Sequence, residues 1–239
     1  MALLMTALGW AAPLRVLLLT GSNNHKWQET TPVLKEVLES TGRFAVDVET
    51  NVAARTSSSF APYDVVLSNF NTFGKKNPGP VWNADVRTTF VDFIRKGKGL
   101  VVVHSGSSVF YDWPEFQQLA GTSWGKHTHH GKQHTNDVHI VTAPHPIIAG
   151  VKDFTTFDEF WQTTDLAPGT MVLATVTPKK EFGGSGNPEP MALITRLGAG
   201  RGFTLLLGHS TAGMNSAGFK TLLQRGTEWA ATGKIEESK

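Results

Sequence analysis

The chain contains no cysteine. That removes disulfides, a thiolate nucleophile and cysteine-ligated zinc together, so any metal site must be assembled from His, Asp and Glu. A dominant charge is also lacking, because 22 Lys and Arg face 20 Asp and Glu scattered along the chain. No basic stripe exists to track a phosphate backbone, and nucleic acid is not expected as a partner. Nothing after the first residues approaches the roughly 18 apolar residues needed to span a bilayer. Tyrosine is scarce, with two residues against nine histidines, and this imbalance is the compositional feature that bears on chemistry.

With 239 residues and 40% hydrophobic content the chain can bury a full core, and one α/β domain over residues 14–233 accounts for it. Residues 1–13 are apolar and small, and Gly9-Trp10-Ala11-Ala12 ends like a signal-peptidase site, yet no Lys or Arg precedes the run. Two readings stay open for them: a signal sequence without its basic start, directing export to the periplasm, or an N-terminal extension of a cytoplasmic protein.

The organising stretch is residues 99–107, Gly-Leu-Val-Val-Val-His-Ser-Gly-Ser. Four apolar residues between a glycine and a histidine predict a strand buried on both faces that stops at a tight turn, leaving His104 at its carboxyl end. Residues 14–20 and 63–69 read the same way, and 44–48 alternates like a half-buried strand. Helices are expected after Thr30 or Thr31 as cap, with Pro32 in the first turn, and over 85–96, 114–119 and 218–231. Strand and helix alternate through the first half, which predicts right-handed crossovers and a mostly parallel sheet. Further strands are expected at 137–141, 160–163, 171–176, 191–196 and 202–207. Residues 72–80 read as a surface loop and 178–190 as a flexible hairpin loop or lid.

In an open α/β sheet, ligands collect where the strands' carboxyl ends meet loops and helix N-termini. His104 belongs to that edge, and Gly208-His209-Ser210 repeats the pattern after a second buried run. Asp158-Glu159 is wedged among Phe154, Phe157, Phe160 and Trp161, where a carboxylate is either paired or shifted in pKa, which suits acid–base work or metal ligation; the alternative is an ordinary strand entry facing water. Five histidines crowd into 127–139 (His127, His129, His130, His134, His139), but without a carboxylate at fixed spacing the stretch reads first as a solvated loop. His127, next to the compact turn at 121–125, is the member expected at the site. His145 before Pro146 reads as a turn residue. A serine hydrolase using Ser105 or Ser107 is disfavoured, since no Gly-X-Ser-X-Gly turn surrounds them.

Several of these pieces occur together in one order: the first strand with its Gly21 turn, residues 99–104 with Ser105, Trp113-Pro114-Glu115-Phe116 followed by Gly121, His127, His145-Pro146-Ile147, Asp158-Glu159-Phe160, the Gly-Ala-Gly-Arg turn at 198–201, Leu207-Gly208-His209 and Glu228-Trp229-Ala230. In this combination the chain resembles the ThuA-like (trehalose utilisation) family of the class I glutamine amidotransferase-like superfamily. The resemblance implies a flavodoxin-like three-layer sandwich and a role in carbohydrate catabolism. It implies catalytic or metal-ligating roles for His104, Glu159 and His209, and substrate contacts from His25, Asn69, Ser105, Trp113, His127 and Asp158. The substrate would be a disaccharide or a keto-sugar supplied by a partner dehydrogenase, transformed by isomerase or hydrolase chemistry with a divalent metal such as zinc. A homo-oligomer is compatible with it. The alternative is a non-catalytic binder of a carbohydrate or partner protein. Glutamine hydrolysis by a thiolate is excluded, because the chain has no cysteine to occupy the nucleophile turn.

Overall fold

The computed structural model describes residues 12–76 and 81–236. The expectation for 1–13, and the part of the surface loop at 77–80, fall almost wholly outside the described residues. Strand β1 (Leu14–Leu19) pairs in parallel with β2 (Phe44–Glu49) and β3 (Val65–Ser68). Beyond β3 lie β4 (Gly99–Val103) and, parallel to it, β11 (Gly200–Leu205). Side chains alternate across this half of the sheet. Val16, Leu18, Val101 and Val103 join one core cluster, while Leu17, Leu19, Leu100 and Val102 join the other.

Helices α1 (Trp27–Glu39) and α5 (Ala217–Thr232) pack into the first cluster, and α2 (Ala84–Arg95) and α3 (Pro114–Ala120) into the second, giving three layers. This is why the parallel strands read as unbroken apolar runs: each is covered on both faces.

The sheet then changes character. A tight turn at Gly198 and Ala199 folds β10 (Glu189–Leu197) back against β11, and β9 (Met171–Val176), β6 (His134–Ile140) and β7 (Phe154–Asp158) continue antiparallel. The order is β2-β1-β3-β4-β11-β10-β9-β6-β7, so the sheet is parallel only as far as β11. Antiparallel connections, which need no crossover helix, join β6 to β7, β9 to β10 and β10 to β11. A separate ribbon pairs β5 (His129–His130) with β8 (Trp161–Gln162).

Three local expectations are corrected. The first helix starts at Trp27, and Pro32 lies inside it. Thr30 and Thr31 do not cap it; they turn inward, where Thr31 shares a 2.8 Å hydrogen bond with Thr20 and Thr30 accepts one of 3.1 Å from Asn69 Nδ2. The strand expected at 160–163 is split, because the chain breaks at Glu159 and Phe160 between β7 and β8. The 178–190 segment is tied down: Lys132 N donates to the Phe182 carbonyl (2.8 Å), and the His134 ring stacks on Phe182 at 4.6 Å. No helix among the described residues is long and apolar enough to cross a membrane.

Candidate functional site

His104 follows β4 as the strand enters a single turn of 3-10 helix, and its φ of 46° is in the left-handed region. A non-glycine residue holds that conformation at a cost of about 1–3 kcal/mol, which the surrounding structure must offset. The turn swings the imidazole over the carboxyl edge of the sheet. Its Nδ1 donates to the Leu206 carbonyl at 2.7 Å, which leaves Nε2 as the free nitrogen. That Nε2 is buried, has no hydrogen-bond partner and lies 3.5 Å from Glu159 Oε1.

Glu159 comes from the break after β7 and His209 from the turn after β11. Buried His209 Nδ1, also without a hydrogen-bond partner, is 3.3 Å from Glu159 Oε2. His25, on the loop after β1, completes the group, with ring centroids 4.9 Å from His104 and 4.3 Å from His209. Donor atoms of His25, His104, Glu159 and His209 all lie within 4.8 Å of one another.

A ring of amides sets the orientation of His25. Its Nδ1 is 3.0 Å from Asn23 Oδ1 and 2.9 Å from Ser105 Oγ, while Asn71 Nδ2 donates to the same Ser105 Oγ (2.9 Å) and Asn23 Oδ1 (2.8 Å). With Nδ1 committed as a donor to the Asn23 carbonyl, Nε2 is the nitrogen free to ligate. Partners of this kind on the distal nitrogen are what orient imidazoles at metal centres.

Asp158 has a different task. Wholly buried, it accepts amide hydrogens from Gly208 (2.7 Å), His209 (3.0 Å) and Glu159 (2.9 Å), tying the end of β7 to the turn that carries His209. Helix α4 (Thr211–Met214) presses on it at Gly213, where a Cβ would stand 2.3 Å from Asp158 Oδ2.

Electrostatics follow from burial and proximity. Burial pulls the His25 pKa down, and repulsion from His104 and His209 adds to this, bringing it to about 3. For His104 burial again disfavours the cation, but the carboxylates of Glu159 and Asp158 outweigh it and hold the ring above its usual value. Burial alone would raise Glu159; the imidazoles of His104 and His209 reverse this and hold it well below the usual carboxylate range. Asp158 stays raised, because burial outweighs its three amide donors.

Above this group opens a small pocket lined by Asn24, His25, Phe73, Ser105, Ser108, Trp124, His130, Glu159 and Trp161. Of the residues singled out from the sequence, His25, Ser105 and Glu159 line it, with His104 and His209 beside Glu159. Four others do not contact it. Asn69 is buried, with its amide on Thr30. Trp113 packs among Trp82, Phe90, Phe110 and Phe116 in the core. His127 is exposed on the approach to the ribbon, and Asp158 is sealed beneath the site.

In place of His127 it is His130 that faces the pocket. Its Nδ1 donates to the Gly131 carbonyl (2.8 Å) and lies 3.3 Å from Glu159 Oε2. Pairing of His130 with Trp161 in the ribbon puts it there, and a two-residue strand gives no period to read. Phe73, Asn24 and Ser108 were likewise not indicated by any motif.

Four nitrogen and oxygen donors with two buried, unpartnered nitrogens among them suit a divalent cation that accepts His and carboxylate ligands, such as zinc.

No curated protein sequence matches the chain significantly. Among solved structures, a ThuA-like protein of Parabacteroides merdae is 29% identical with a TM-score of 0.81, the match covering 95% of this chain and 93% of that one. A ThuA-like protein of Bacteroides uniformis is 16% identical (TM-score 0.66, 94% of each chain). A glutamine amidotransferase of Thermotoga maritima, 13% identical with a TM-score of 0.50 over 81% of this chain and 74% of that one, shares the fold. The family model described as ThuA, trehalose utilisation, matches residues 15–230. The chain therefore belongs to the ThuA family.

Proposed function

We propose that this protein is a sugar-transforming enzyme, acting by isomerase or hydrolase chemistry on a disaccharide or its keto derivative, the latter supplied by a partner dehydrogenase. The observation that carries the reading is the convergence of His25, His104, Glu159 and His209, with two buried unpartnered nitrogens, on the floor of an open pocket. The family's description, trehalose utilisation, supports a carbohydrate as substrate.

Those four residues would hold a divalent ion such as zinc, which would supply Lewis-acid polarisation of a sugar carbonyl or hydroxyl oxygen. The chain's own groups do the rest. His130 keeps Nε2 as an acceptor because its Nδ1 is committed to the Gly131 carbonyl, and it stands on the open side of Glu159. In an isomerisation its Nε2 takes the C–H proton from the hydroxyl-bearing carbon beside the carbonyl and returns it to the former carbonyl carbon, while the hydroxyl proton passes to the former carbonyl oxygen. In a hydrolysis it takes a proton from the water that attacks the glycosidic carbon and passes it to the departing oxygen. Ser105 is not available as a nucleophile in this arrangement, since Asn71, Asn23 and His25 occupy its hydroxyl.

Elemental analysis of the purified protein, coupled to an activity screen on trehalose, 3-keto-trehalose and related glycosides, tests the reading. Bound metal that is lost in His104→Ala and His209→Ala together with turnover is the expected result. Metal-free protein whose variants still bind sugar normally would overturn it in favour of a non-catalytic carbohydrate binder.

A further inference from the structure

Phe73 lines the pocket from an exposed position. It is 40% exposed, joins neither core cluster, and its one aromatic partner among the described residues is Trp124, at 5.8 Å and 66°. Trp124 stands edge-on to Trp161 (5.1 Å, 87°), and Trp161 lies 5.3 Å from His104. The three rings form a wall descending from the exposed rim to the buried imidazoles. Other exposed large apolar residues, such as Tyr111, Phe157 and Met171, do not line the pocket.

The same pocket is also lined by Asn24, Ser105 and Ser108, and the buried Ser108 Oγ has no partner. Aromatic faces together with amide and hydroxyl groups match a ligand that is apolar on one face and hydroxylated around its edge. A lipid or flat hydrocarbon would leave the polar side unpaired and desolvated. No Lys or Arg is among the described lining residues, so no guanidinium or ammonium group awaits a phosphate or carboxylate.

We propose that Phe73 and Trp124 form the stacking platform for one ring of a neutral, unphosphorylated pyranoside. The ring's C–H face lies on Phe73, with the Trp124 ring standing edge-on beside it, and its hydroxyl edge turns toward Asn24 and Ser108. This names the ligand class of the site described above and rests on its sugar reading, but it requires no metal.

The test uses the full chain. Trehalose and trehalose 6-phosphate are titrated by calorimetry and saturation-transfer NMR against wild type, Phe73→Leu, Trp124→Leu and Phe73→Tyr, and each protein's metal content is measured separately. Phe73→Leu should weaken trehalose binding about tenfold, equivalent to about 1.4 kcal/mol. Phe73→Tyr should restore it, metal content should stay at the wild-type level, and the phosphorylated sugar should bind no tighter than trehalose. Because Phe73 is exposed, its substitution leaves the fold intact.

Wild-type affinity in both leucine variants, or tighter binding of the phosphorylated sugar, overturns the proposal. Metal-bearing wild type that binds neither sugar overturns it too and leaves the metal site standing. Metal-free wild type whose trehalose binding depends on Phe73 does the reverse, upholding the platform and refuting the metal-assisted reading.

Discussion

Two sets of histidines in this molecule behave in opposite ways. The five between 127 and 139 are dense in sequence, yet one of them, His130, reaches the pocket, while His127 and His129 face solvent and His134 stacks on Phe182. His25, His104 and His209 are scattered over most of the chain, yet their donor atoms gather with one from Glu159 within 4.8 Å. Density along a sequence is a local property, whereas convergence in space is decided by where strands end. β1, β4 and β11 lie close together in the sheet and deliver their following residues to one edge.

The sharpest way to break this comparison is to remove a member of the scattered set. His104→Ala should weaken metal binding by more than about 100-fold, beyond what loss of an outer-sphere partner costs, read by elemental analysis and metal titration. Ser105→Ala comes next. It leaves all four donors in place but removes one of the two polar contacts on His25 Nδ1, the one to Asn23 remaining, and metal affinity should fall by about tenfold with little change in melting temperature.

The pH dependence of stability sharpens the contrast further. His25 has a folded pKa of about 3 against an ordinary 6.5, so the unfolded chain binds its proton first. The metal-free wild type should therefore lose stability relative to His25→Gln as pH falls from 6.5 towards 3, and the two should run parallel above 6.5. Melting curves of both proteins across that range decide it, and parallel curves on the acid side would refute the assignment. The smallest effect is expected from the dense set: His127→Ala combined with His129→Ala should change metal affinity and stability by less than about 0.5 kcal/mol, as for ordinary surface positions.

Much of the frame could be read from the residues because the physics is local. The runs in β1, β3, β4 and β9 are apolar and bounded by turn residues, and Asn83 caps α2 by accepting from Val86 N. His104 and His209 were legible as strand-end histidines for the same reason. What escaped depends on tertiary contact. Thr30 and Thr31 look like caps until Thr20 and Asn69 claim their hydroxyls. Trp113 sits near the site in sequence but belongs to an aromatic core fixed by Trp82 and Phe90. Which of five neighbouring imidazoles turns inward is settled by a two-residue pairing with Trp161, and no periodicity encodes that.

The ribbon's backing gives the 178–186 stretch more influence than its distance from the ligating group suggests. Gly131 sits so close to the Phe182 carbonyl that a Cβ there would stand 2.3 Å from its oxygen, and Lys132 is bonded to the same group. The backbone just after His130 is thus braced by the Phe182 turn. Bulk added at 131, or a shortened segment around Phe182, would shift the ribbon that carries His130 and with it one side of the pocket, so this remote hairpin is a place where the pocket's size can be changed while His25, His104, Glu159 and His209 stay as they are.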